Sequence, residues 1–318
     1  MALPLKIGIL SFRSLAAREA SDVLQLKRAA LELGHHARIF RNANFQFSFD
    51  SVQPSLRYKS QRFSPPDVMI IRPSVLDNVD LEVSTVRQLQ LMGIPVVNHY
   101  MPIVRAKNKV RSLQILQHAG IPIPRTVVIH NVAYIDKAVE ELGRFPLILK
   151  APQGSLGVGV SIIESLRSMR SMVDLVSASL KNSLIILQEY VKEAKGKDIR
   201  VFVIGGKIIA AMERKAKRGE FRSNFERGGS VALADLSEEE REIALKSTRA
   251  IGLDIAGIDI IRTVEGPKVL EVNANPGLEG ITKATGINVA AQIVKFAEKV
   301  AKRKQFLIEK PDAIAVSV

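Results

Sequence analysis

Residues 257–274 read GIDIIRTVEGPKVLEVNA: two apolar, β-branched runs on either side of a Glu-Gly-Pro turn. This pattern predicts a β-hairpin. If the turn centres on Glu265, Asp259 lies directly opposite Glu271. Asn273 then shares the face of Glu271, because side chains alternate between the two faces of a strand. The opposite, apolar face is predicted to consist of Ile258, Ile260, Leu270 and Val272.

The polar face of this hairpin has the composition of a cation site. Like charges directly opposed on neighbouring strands are destabilising, by roughly 3 kcal/mol at an effective dielectric constant of ~20. A bound cation removes this repulsion, and removal of either carboxylate is expected to leave the metal-free protein as stable or more so. Asp259, Glu271 and Asn273 offer only hard oxygen ligands, which favour Mg²⁺ or Mn²⁺. The alternative is a solvent-facing hairpin with incidental acidic residues.

Length and composition narrow the class of protein. A chain of 318 residues suits two or three packed units. No apolar run approaches the ~20 residues of a membrane span, and cysteine is absent, which excludes disulfides and thiolate catalysis. A cytoplasmic location and no membrane partner are therefore expected. The net charge of +14 indicates acidic partners such as nucleotides, carboxylates, acidic peptides or nucleic acid, without choosing among them.

The order of predicted elements indicates an α/β architecture. In the first hundred residues, strands at 6–10, 36–40, 67–72 and 94–98 alternate with helices at 16–33 and 80–92, which predicts a Rossmann-like parallel sheet. No GxGxxG follows its first strand, so dinucleotide binding there is not predicted. The segment 55–63 is predicted to form a small hairpin. A helix at 106–119 and strands at 126–129, 146–150 and 160–163 come next, followed by a helix at 166–180. Beyond residue 184 strands dominate, until a capping box at Ser237 and Glu240 opens a helix and a last helix covers about 287–303.

Two further segments carry candidate binding residues. The strand PLILK (146–150) leads to the loop GSLGVG (154–159), whose glycines allow backbone N–H groups to approach phosphate oxygens. The loop lacks GK[ST] and is not a P-loop; a flexible connector is an equally good interpretation. The segment ERKAKRGEFRSNFERGG (213–229) is basic and suited to carboxylate or phosphate, although a solvated charged loop would have the same composition.

Taken together, these segments resemble the ATP-grasp superfamily, and within it the RimK-type glutamate ligases. The resemblance is carried by QEYVKEAKGKDIRVFV (188–203), AAMERKAKRGEFRSNFERGG (210–229) and VLEVNANPGLEGI (269–281). It covers nearly the whole chain to about residue 300, but two parts do not match: residues 13–66, and Ala-Pro-Gln (151–153) before the glycine loop. It implies an α/β (α+β) ATP-grasp fold, divided into a Rossmann-like pre-ATP-grasp domain (1–101), a central subdomain with a glycine-rich lid (102–187), a C-terminal subdomain with the metal site (188–304) and a tail (305–318).

The resemblance also implies the roles of individual residues. The catalytic residues would be Arg214, Arg222 and Asn224. The ATP-binding residues would be Lys109 and Lys150 at the phosphates, Gly154, Ser155, Gly157 and Gly159 in the lid, Glu189 and Tyr190 at the adenine through their backbone, Asp198 at the ribose, and Arg222, Ser223 and Asn224 beside the triphosphate. The metal ligands would be Asp259, Glu271 and Asn273, holding two Mg²⁺ or Mn²⁺ ions.

The implied reaction is ATP-dependent ligation of L-glutamate through an acylphosphate. The implied acceptor is an acidic protein or peptide C-terminus, that of a small-subunit ribosomal protein, with poly-α-glutamate as an extended product. A homo-oligomer is expected. Two alternatives remain: a ligase of the same type acting on a cofactor or an amino-group carrier protein, and a nucleotide-regulated protein that binds RNA or the ribosome.

Overall fold

The computed structural model describes residues 3–49, 55–74, 78–150, 159–179, 184–194, 196–217, 220 and 228–309, without the side chains of 174–179 and 304–309. Within this part of the chain, four sheets are joined by helices. None of the helices described combines the length and apolar character needed to cross a membrane.

The N-terminal unit contains the parallel sheet that the alternation of strands and helices predicted. Its strands follow the order β2-β1-β6-β7, and every neighbouring pair is parallel. Parallel strands place their carboxyl ends at one edge, where ligands bind in open α/β sheets. The elements are β1 (Lys6–Ser11), α1 (Ser21–Glu32), β2 (His36–Arg41), β6 (Val68–Arg72), α2 (Val79–Glu82), α3 (Ser84–Leu91) and β7 (Val96–Val97).

The predicted hairpin at 55–63 forms, with one strand more than the sequence indicated. Strands β3 (Phe45–Ser48), β4 (Ser55–Tyr58) and β5 (Gln61–Arg62) make an antiparallel sheet. Phe40, Phe45, Tyr58 and Phe63 hold it to the parallel sheet, with ring centroids 5.0–6.1 Å apart. Edge-to-face contacts of this kind add specificity to apolar burial.

The central unit has its own antiparallel sheet, in the order β10-β9-β11-β8. Its apolar core includes Ile129, Leu147, Met169 and Leu187, and all core members come from this unit. Met169 is a core residue, and the partly buried Met172 packs against this core. The elements are α4 (Tyr100–Lys107), α5 (Lys109–His118), β8 (Thr126–Ile129), α6 (Ile135–Leu142), β9 (Leu147–Lys150), β10 (Val160–Ile163), α7 (Leu166–Ser179) and β11 (Ile185–Glu189).

The C-terminal unit is a five-stranded antiparallel sheet in the order β14-β13-β12-β15-β16. Residues of this sheet share two continuous cores with the N-terminal sheet. One core includes Phe202 and Ile7, and the other includes Val201 and Leu10. The elements are β12 (Lys197–Ile204), β13 (Lys207–Lys215), β14 (Ser230–Leu233), α8 (Glu238–Ile251), β15 (Ile255–Thr263), β16 (Gly266–Asn273), α9 (Glu279–Thr285) and α10 (Val289–Glu309), with 3₁₀ turns at Asn42–Asn44, Val132–Tyr134 and Lys192–Ala194.

Several helix boundaries differ from the sequence prediction for local reasons. Helix α1 begins at Ser21 rather than 16, because the guanidinium of Arg41 binds the carbonyl oxygens of Ser14, Leu15 and Ala17. The helix predicted at 80–92 divides into α2 and α3. The helix predicted at 106–119 divides at Asn108, whose side chain accepts from Arg111 N at 3.0 Å and caps α5. Helix α10 continues to Glu309, beyond the predicted end near 303. The capping box at Ser237 and Glu240 is confirmed.

Asn98 connects the N-terminal sheet to the predicted hairpin. Its side chain donates to the carbonyl oxygens of Ile255 (2.8 Å) and Ala274 (3.1 Å). It accepts from the amides of Asp254 (2.8 Å) and Ile255 (2.7 Å). Because Asn98 is 1% exposed, these four bonds satisfy backbone groups that water cannot reach.

Candidate active site

A cavity of about 630 Å³ lies where the three large sheets meet. Its wall includes β9 through Lys150, β11 through Gln188 and Glu189, and the hairpin through Asp259 and Glu271. Ligand-binding pockets occur preferentially at the interfaces between domains. The cavity therefore brings together candidate residues that are far apart in the sequence.

The predicted hairpin forms β15 and β16, and the polar residues pair as predicted. The turn is one residue shorter than predicted, because Thr263 pairs with Gly266 instead of Pro267. Asp259 pairs with Glu271, and Gly257 with Asn273. Asp259, Glu271 and Asn273 all line the cavity. The prediction for Leu270 was wrong: Ile260 pairs with Val269, so Leu270 is the extra residue of a β-bulge and lines the cavity instead of the apolar face.

Asp259 is neutralised by two arginines, which the sequence prediction of an uncompensated carboxylate pair missed. Its Oδ1 accepts from Arg200 Nε at 2.7 Å, and its Oδ2 accepts from Arg200 Nη2 at 2.6 Å and Arg214 Nη2 at 2.7 Å. Burial alone would raise the pKa of Asp259, but the charges of Arg200 and Arg214 outweigh it and hold that pKa below its usual range. Removing Asp259 would leave two guanidinium groups without this partner, so we now expect its loss to destabilise the metal-free protein, in contrast to the expectation from the sequence.

Arg214 joins two buried carboxylates. It donates from Nε to Asp198 Oδ1 at 2.6 Å and from Nη2 to Asp198 Oδ2 at 2.8 Å, in addition to its bond to Asp259. Burial opposes the charge of Arg214, but the two carboxylates raise its pKa above the ordinary value. Asp198, predicted to hold a ribose, and Arg214, predicted to be catalytic, thus both line the cavity in one ion-paired chain.

The charge of Glu271 acts on two lysines, Lys150 and Lys107. Burial lowers the pKa of Lys150 to about 8; Glu271 raises it and Lys109 lowers it further. Lys150 Nζ donates to Gln188 Oε1 at 2.6 Å, which directs the ammonium group along the cavity wall. Burial likewise lowers the pKa of Lys107 to about 8, again with Glu271 acting in the opposite direction. An anion entering the cavity would stabilise both charged ammonium groups.

The strand predicted to bind adenine lies at one end of the cavity. Glu189 and Tyr190 both line it. The side chain of Glu189 accepts from Arg125 N and Nε, each at 3.0 Å, and from Lys268 Nζ at 3.1 Å. Burial would raise the pKa of Glu189, but the hydrogen bonds from Arg125 and Lys268 hold it below its usual range. This carboxylate is therefore engaged within the protein, which suits the prediction that the segment contacts a ligand through its backbone.

The remaining predicted residues divide into those the structure describes and those it does not. Lys109 is the first residue of α5 and lines the cavity. Gly159 has a φ of +74°, in the left-handed region that favours glycine. Gly154, Ser155, Gly157, Arg222, Ser223 and Asn224 lie outside the described residues.

The donor set suits Mg²⁺. Among the described residues, no three acidic, histidine or cysteine side chains form a metal cluster, so a site here depends on the amide of Asn273 joining the two carboxylates. All three side chains carry oxygen donors on the same cavity wall, and Mg²⁺ prefers a few protein oxygens, with phosphates and water in its other positions. Asn273 Oδ1 also accepts from Asn275 N at 2.8 Å, which orients its oxygen.

Sequence reasoning missed Arg72, Lys107, Gln188 and Arg200, all of which line the cavity. Arg200 alternates with buried apolar residues in the quoted segment 188–203, which was a usable signal for a residue on the polar face of β12. The sequence around Arg72, Lys107 and Gln188 did not distinguish them as binding residues, because a polar residue next to an apolar strand often has only a structural role.

The fold has close counterparts among solved structures. One is the ATP-grasp ligase PsnB complexed with minimal precursor, Mg and ADP: its TM-score is 0.70 at 18% identity, covering 93% of this chain and 98% of that one. The predicted ATP-grasp fold class is thereby confirmed. The architecture is that of the ATP-grasp fold.

Comparison of the sequence with protein families is more specific. Residues 106–297 match the RimK-like ATP-grasp domain, and residues 5–103 match the RimK PreATP-grasp domain. The chain belongs to the RimK-like ATP-grasp family. The second match includes residues 13–66, which the sequence alone had not related to the family.

Two curated relatives cover most of the chain. A protein of Vibrio vulnificus (strain YJ016) named probable alpha-L-glutamate ligase is 40% identical over 282 residues, 88% of this chain and 92% of its own length. A protein of Escherichia fergusonii named ribosomal protein bS6–L-glutamate ligase is 37% identical over 276 residues, 86% of this chain and 91% of its own length.

Proposed function

We propose that this ligase joins L-glutamate to the C-terminal carboxylate of an acidic protein or peptide, in a reaction that consumes ATP and requires Mg²⁺. The observation that carries the proposal is one cavity lined by the oxygen donors of Asp259, Glu271 and Asn273 and by Lys150, whose ammonium group interacts electrostatically with Glu271. Relatives named as glutamate ligases support the choice of amino acid.

The reaction has two steps, which conserve all atoms. The acceptor carboxylate attacks the γ-phosphorus of ATP, and ADP leaves with the electrons of the broken P–O bond. The amine of glutamate then attacks the resulting acylphosphate, phosphate leaves, and the nitrogen loses a proton as the amide forms. Because the product again ends in a carboxylate, repeated cycles would give poly-α-glutamate.

The residues of the chain supply position and charge for these steps. Asp259, Glu271 and Asn273 would hold Mg²⁺, which supplies charge neutralisation for the phosphate oxygens. Lys150 and Lys109 would contact the phosphates, and Gln188 directs Lys150 through its hydrogen bond. The backbone of 189–190 would bind the adenine and Asp198 the ribose. Arg214 would neutralise charge that develops during transfer, with Arg222 and Asn224 beside the substrate carboxylate. Catalysis of phosphoryl transfer rests mainly on such positioning and electrostatics.

The acceptor is proposed to be a ribosomal protein, because relatives of similar length carry the name ribosomal protein bS6–L-glutamate ligase. A net charge of +14 would attract an acidic C-terminus. A cofactor or an amino-group carrier protein as acceptor would use the same cavity. An activity assay with each candidate acceptor distinguishes these alternatives from a ribosomal protein.

The test supplies the purified protein with ATP, Mg²⁺, L-glutamate and a peptide with an acidic C-terminus. We expect phosphate release that depends on both glutamate and peptide, and added glutamyl residues detected by mass spectrometry. If the peptide carboxylate is labelled with heavy oxygen, the released phosphate should contain the label, because one carboxylate oxygen leaves with it. Phosphate without label would exclude the acylphosphate. No glutamate-dependent release with any acceptor would favour the nucleotide-regulated binding protein.

A further inference from the structure

The cavity extends past the proposed nucleotide and metal residues to the carboxyl edge of the N-terminal sheet. This part of the wall, the N-terminal lobe, has received no role in the proposed reaction. Its polar side chains come from the ends of β1 and β6, from the start of α1 and from the loops after β6 and β16, and they are Ser11, Arg13, Ser21, Asp22, Arg72, Ser74 and Asn275.

Arg72 is the buried cation of this lobe. It is the last residue of β6 and is 4% exposed. Its Nη2 donates to Asp22 Oδ2 at 2.9 Å and to the carbonyl oxygen of Pro276 at 3.0 Å. Its Nε is buried without a hydrogen-bond partner in the described part of the chain. A buried donor left unpaired is costly, which indicates that the guanidinium has capacity for a further acceptor.

The surroundings of Arg72 carry charges of both signs. Burial lowers the pKa of Arg72, and the charge of Asp22 only partly opposes this effect. Lys107 lies close enough that Arg72 lowers its pKa, and its Nζ donates to the carbonyl oxygen of Ser74 at 2.9 Å. Arg13 adds a third cation at the lobe, and Glu279 a second acid beside Asp22. The Ser11 hydroxyl donates to Glu19, which also pairs with Arg41.

We propose that Arg72 binds a carboxylate group of the second substrate in the N-terminal lobe. The inference rests on the proposed function, which requires a carboxylate-bearing amino acid beside the nucleotide. Arginine forms charge-assisted hydrogen bonds with carboxylate and phosphate alike, but the phosphates of ATP are already assigned to the metal ligands and to Lys109 and Lys150. Two sources share this chemistry: a carboxylate of free L-glutamate, or an acidic side chain of the acceptor peptide.

A purely structural role for Arg72 makes different predictions. Asp22 Oδ1 also accepts from Leu278 N at 3.1 Å, so Arg72 and Asp22 together fasten the N-terminal sheet to the loop after the hairpin. If this fastening were their whole role, Arg72 and Asp22 variants would lose stability alike, and no single substrate would be affected selectively.

The experiment compares the full-length variants Arg72→Lys, Arg72→Gln and Asp22→Asn with the unchanged protein. KM is measured separately for ATP, L-glutamate and an acidic acceptor peptide, and thermal unfolding is followed in parallel. Arg72→Lys should raise KM by at least about tenfold for one carboxylate substrate, as expected for a lost charge-assisted bond, and leave the ATP KM unchanged. Asp22→Asn neutralises the carboxylate that competes for Arg72, so it should leave that KM unchanged or lower.

The substrate whose KM rises identifies the source of the carboxylate. Calorimetric binding of L-glutamate and of the peptide, in the presence of ADP and Mg²⁺, gives a readout independent of turnover. Equal KM values in the Arg72 variants and the unchanged protein would overturn the proposal, and so would parallel losses in Arg72→Lys and Asp22→Asn. If the unchanged protein shows no glutamate-dependent phosphate release, the proposed function fails by itself. If neither L-glutamate nor the peptide binds the unchanged protein, the proposed carboxylate site at Arg72 is overturned as well.

Discussion

Arg200 and Asp259 face each other on the neighbouring strands β12 and β15 and are joined by two hydrogen bonds, of 2.7 and 2.6 Å. Asp259 is also a proposed ligand of Mg²⁺. Arg200 therefore occupies part of the coordination capacity that a metal ion would use, and the two cations compete for one carboxylate.

Arg200→Gln should strengthen binding of divalent metal in the absence of nucleotide, because the competing cation is gone. Mn²⁺ binding followed by electron paramagnetic resonance measures the effect directly. The variant should lose about 1–3 kcal/mol of unfolding free energy, since Asp259 keeps one, Arg214, of the two arginine partners seen in the described part of the chain. Arg200→Lys retains the charge and should bind Mn²⁺ as the unchanged protein does. Weaker Mn²⁺ binding by Arg200→Gln would show that the arginine supports the metal site instead of competing with it.

Replacing Asp259 should lower the unfolding free energy of the protein, whereas replacing Glu271 should not. Either replacement should abolish ligation. Glu271 is exposed at the cavity, so Glu271→Gln should leave the unfolding free energy nearly unchanged. Asp259→Asn should lower it by about 3–5 kcal/mol, because the charges of Arg200 and Arg214 lose a buried partner. Denaturant unfolding without metal provides the comparison. Equal unfolding free energies would mean that the charges of Arg200 and Arg214 do not need Asp259 as a partner. Near-normal activity of both variants at millimolar Mg²⁺ would contradict the assignment of Asp259 and Glu271 as metal ligands.

Nucleotide affinity should fall as the pH rises through about 8. Burial lowers the pKa of Lys150 to about 8, and only the protonated ammonium group attracts phosphate. The dissociation constant for ATP, measured from pH 6.5 to 9.5, should therefore increase above pH 8. Lys150→Arg keeps its charge across this range and should give a flatter profile. Identical profiles for both proteins would exclude Lys150 as the titrating group.

The same pKa predicts a pH-dependent stability. Since Lys150 titrates at about 8 in the folded protein and near 10.4 when unfolded, the unfolded state binds more protons between these values. Stability contributed by this group therefore rises with pH across that window. Lys150→Met should be more stable than the unchanged protein at pH 7, and the difference should shrink towards pH 10. A constant difference would contradict the lowered pKa.

Asn98→Ala should destabilise the protein by about 3 kcal/mol or more, because four buried backbone groups of 254–255 and 274 lose their partner. Asn98→Asp keeps the two accepted bonds but loses the two donated ones and adds a buried charge, so it should also be destabilised. Thermal unfolding measures both. A loss below about 1 kcal/mol in Asn98→Ala would show that water replaces the side chain.

Local chemistry made much of the fold predictable. Two apolar runs around a Glu-Gly-Pro segment predicted the hairpin, and the capping box at Ser237 determined where α8 begins. The pairing of Asp259 with Glu271 depends in addition on the bulge at Leu270, because Thr263 pairs with Gly266 at the turn. Alternating strands and helices indicated the parallel sheet. These features depend on residues close together in the chain, whose geometry follows from backbone periodicity and turn preferences. The family, and through it the candidate ATP residues, also followed from short segments in a fixed order.

Contacts between distant segments were decided only by the tertiary structure. Arg200 lies 59 residues from Asp259, and Arg72 lies 204 residues from Pro276. No periodicity in the sequence relates such positions, since their approach depends on how whole sheets pack. The bulge that turns Leu270 into the cavity depends on the alignment of both strands in the finished sheet. The sequence by itself therefore determined which chemistry the hairpin offers, whereas the packing of the units decided which charges surround it: Asp259 is paired with arginines only because β12 and β13 lie beside β15.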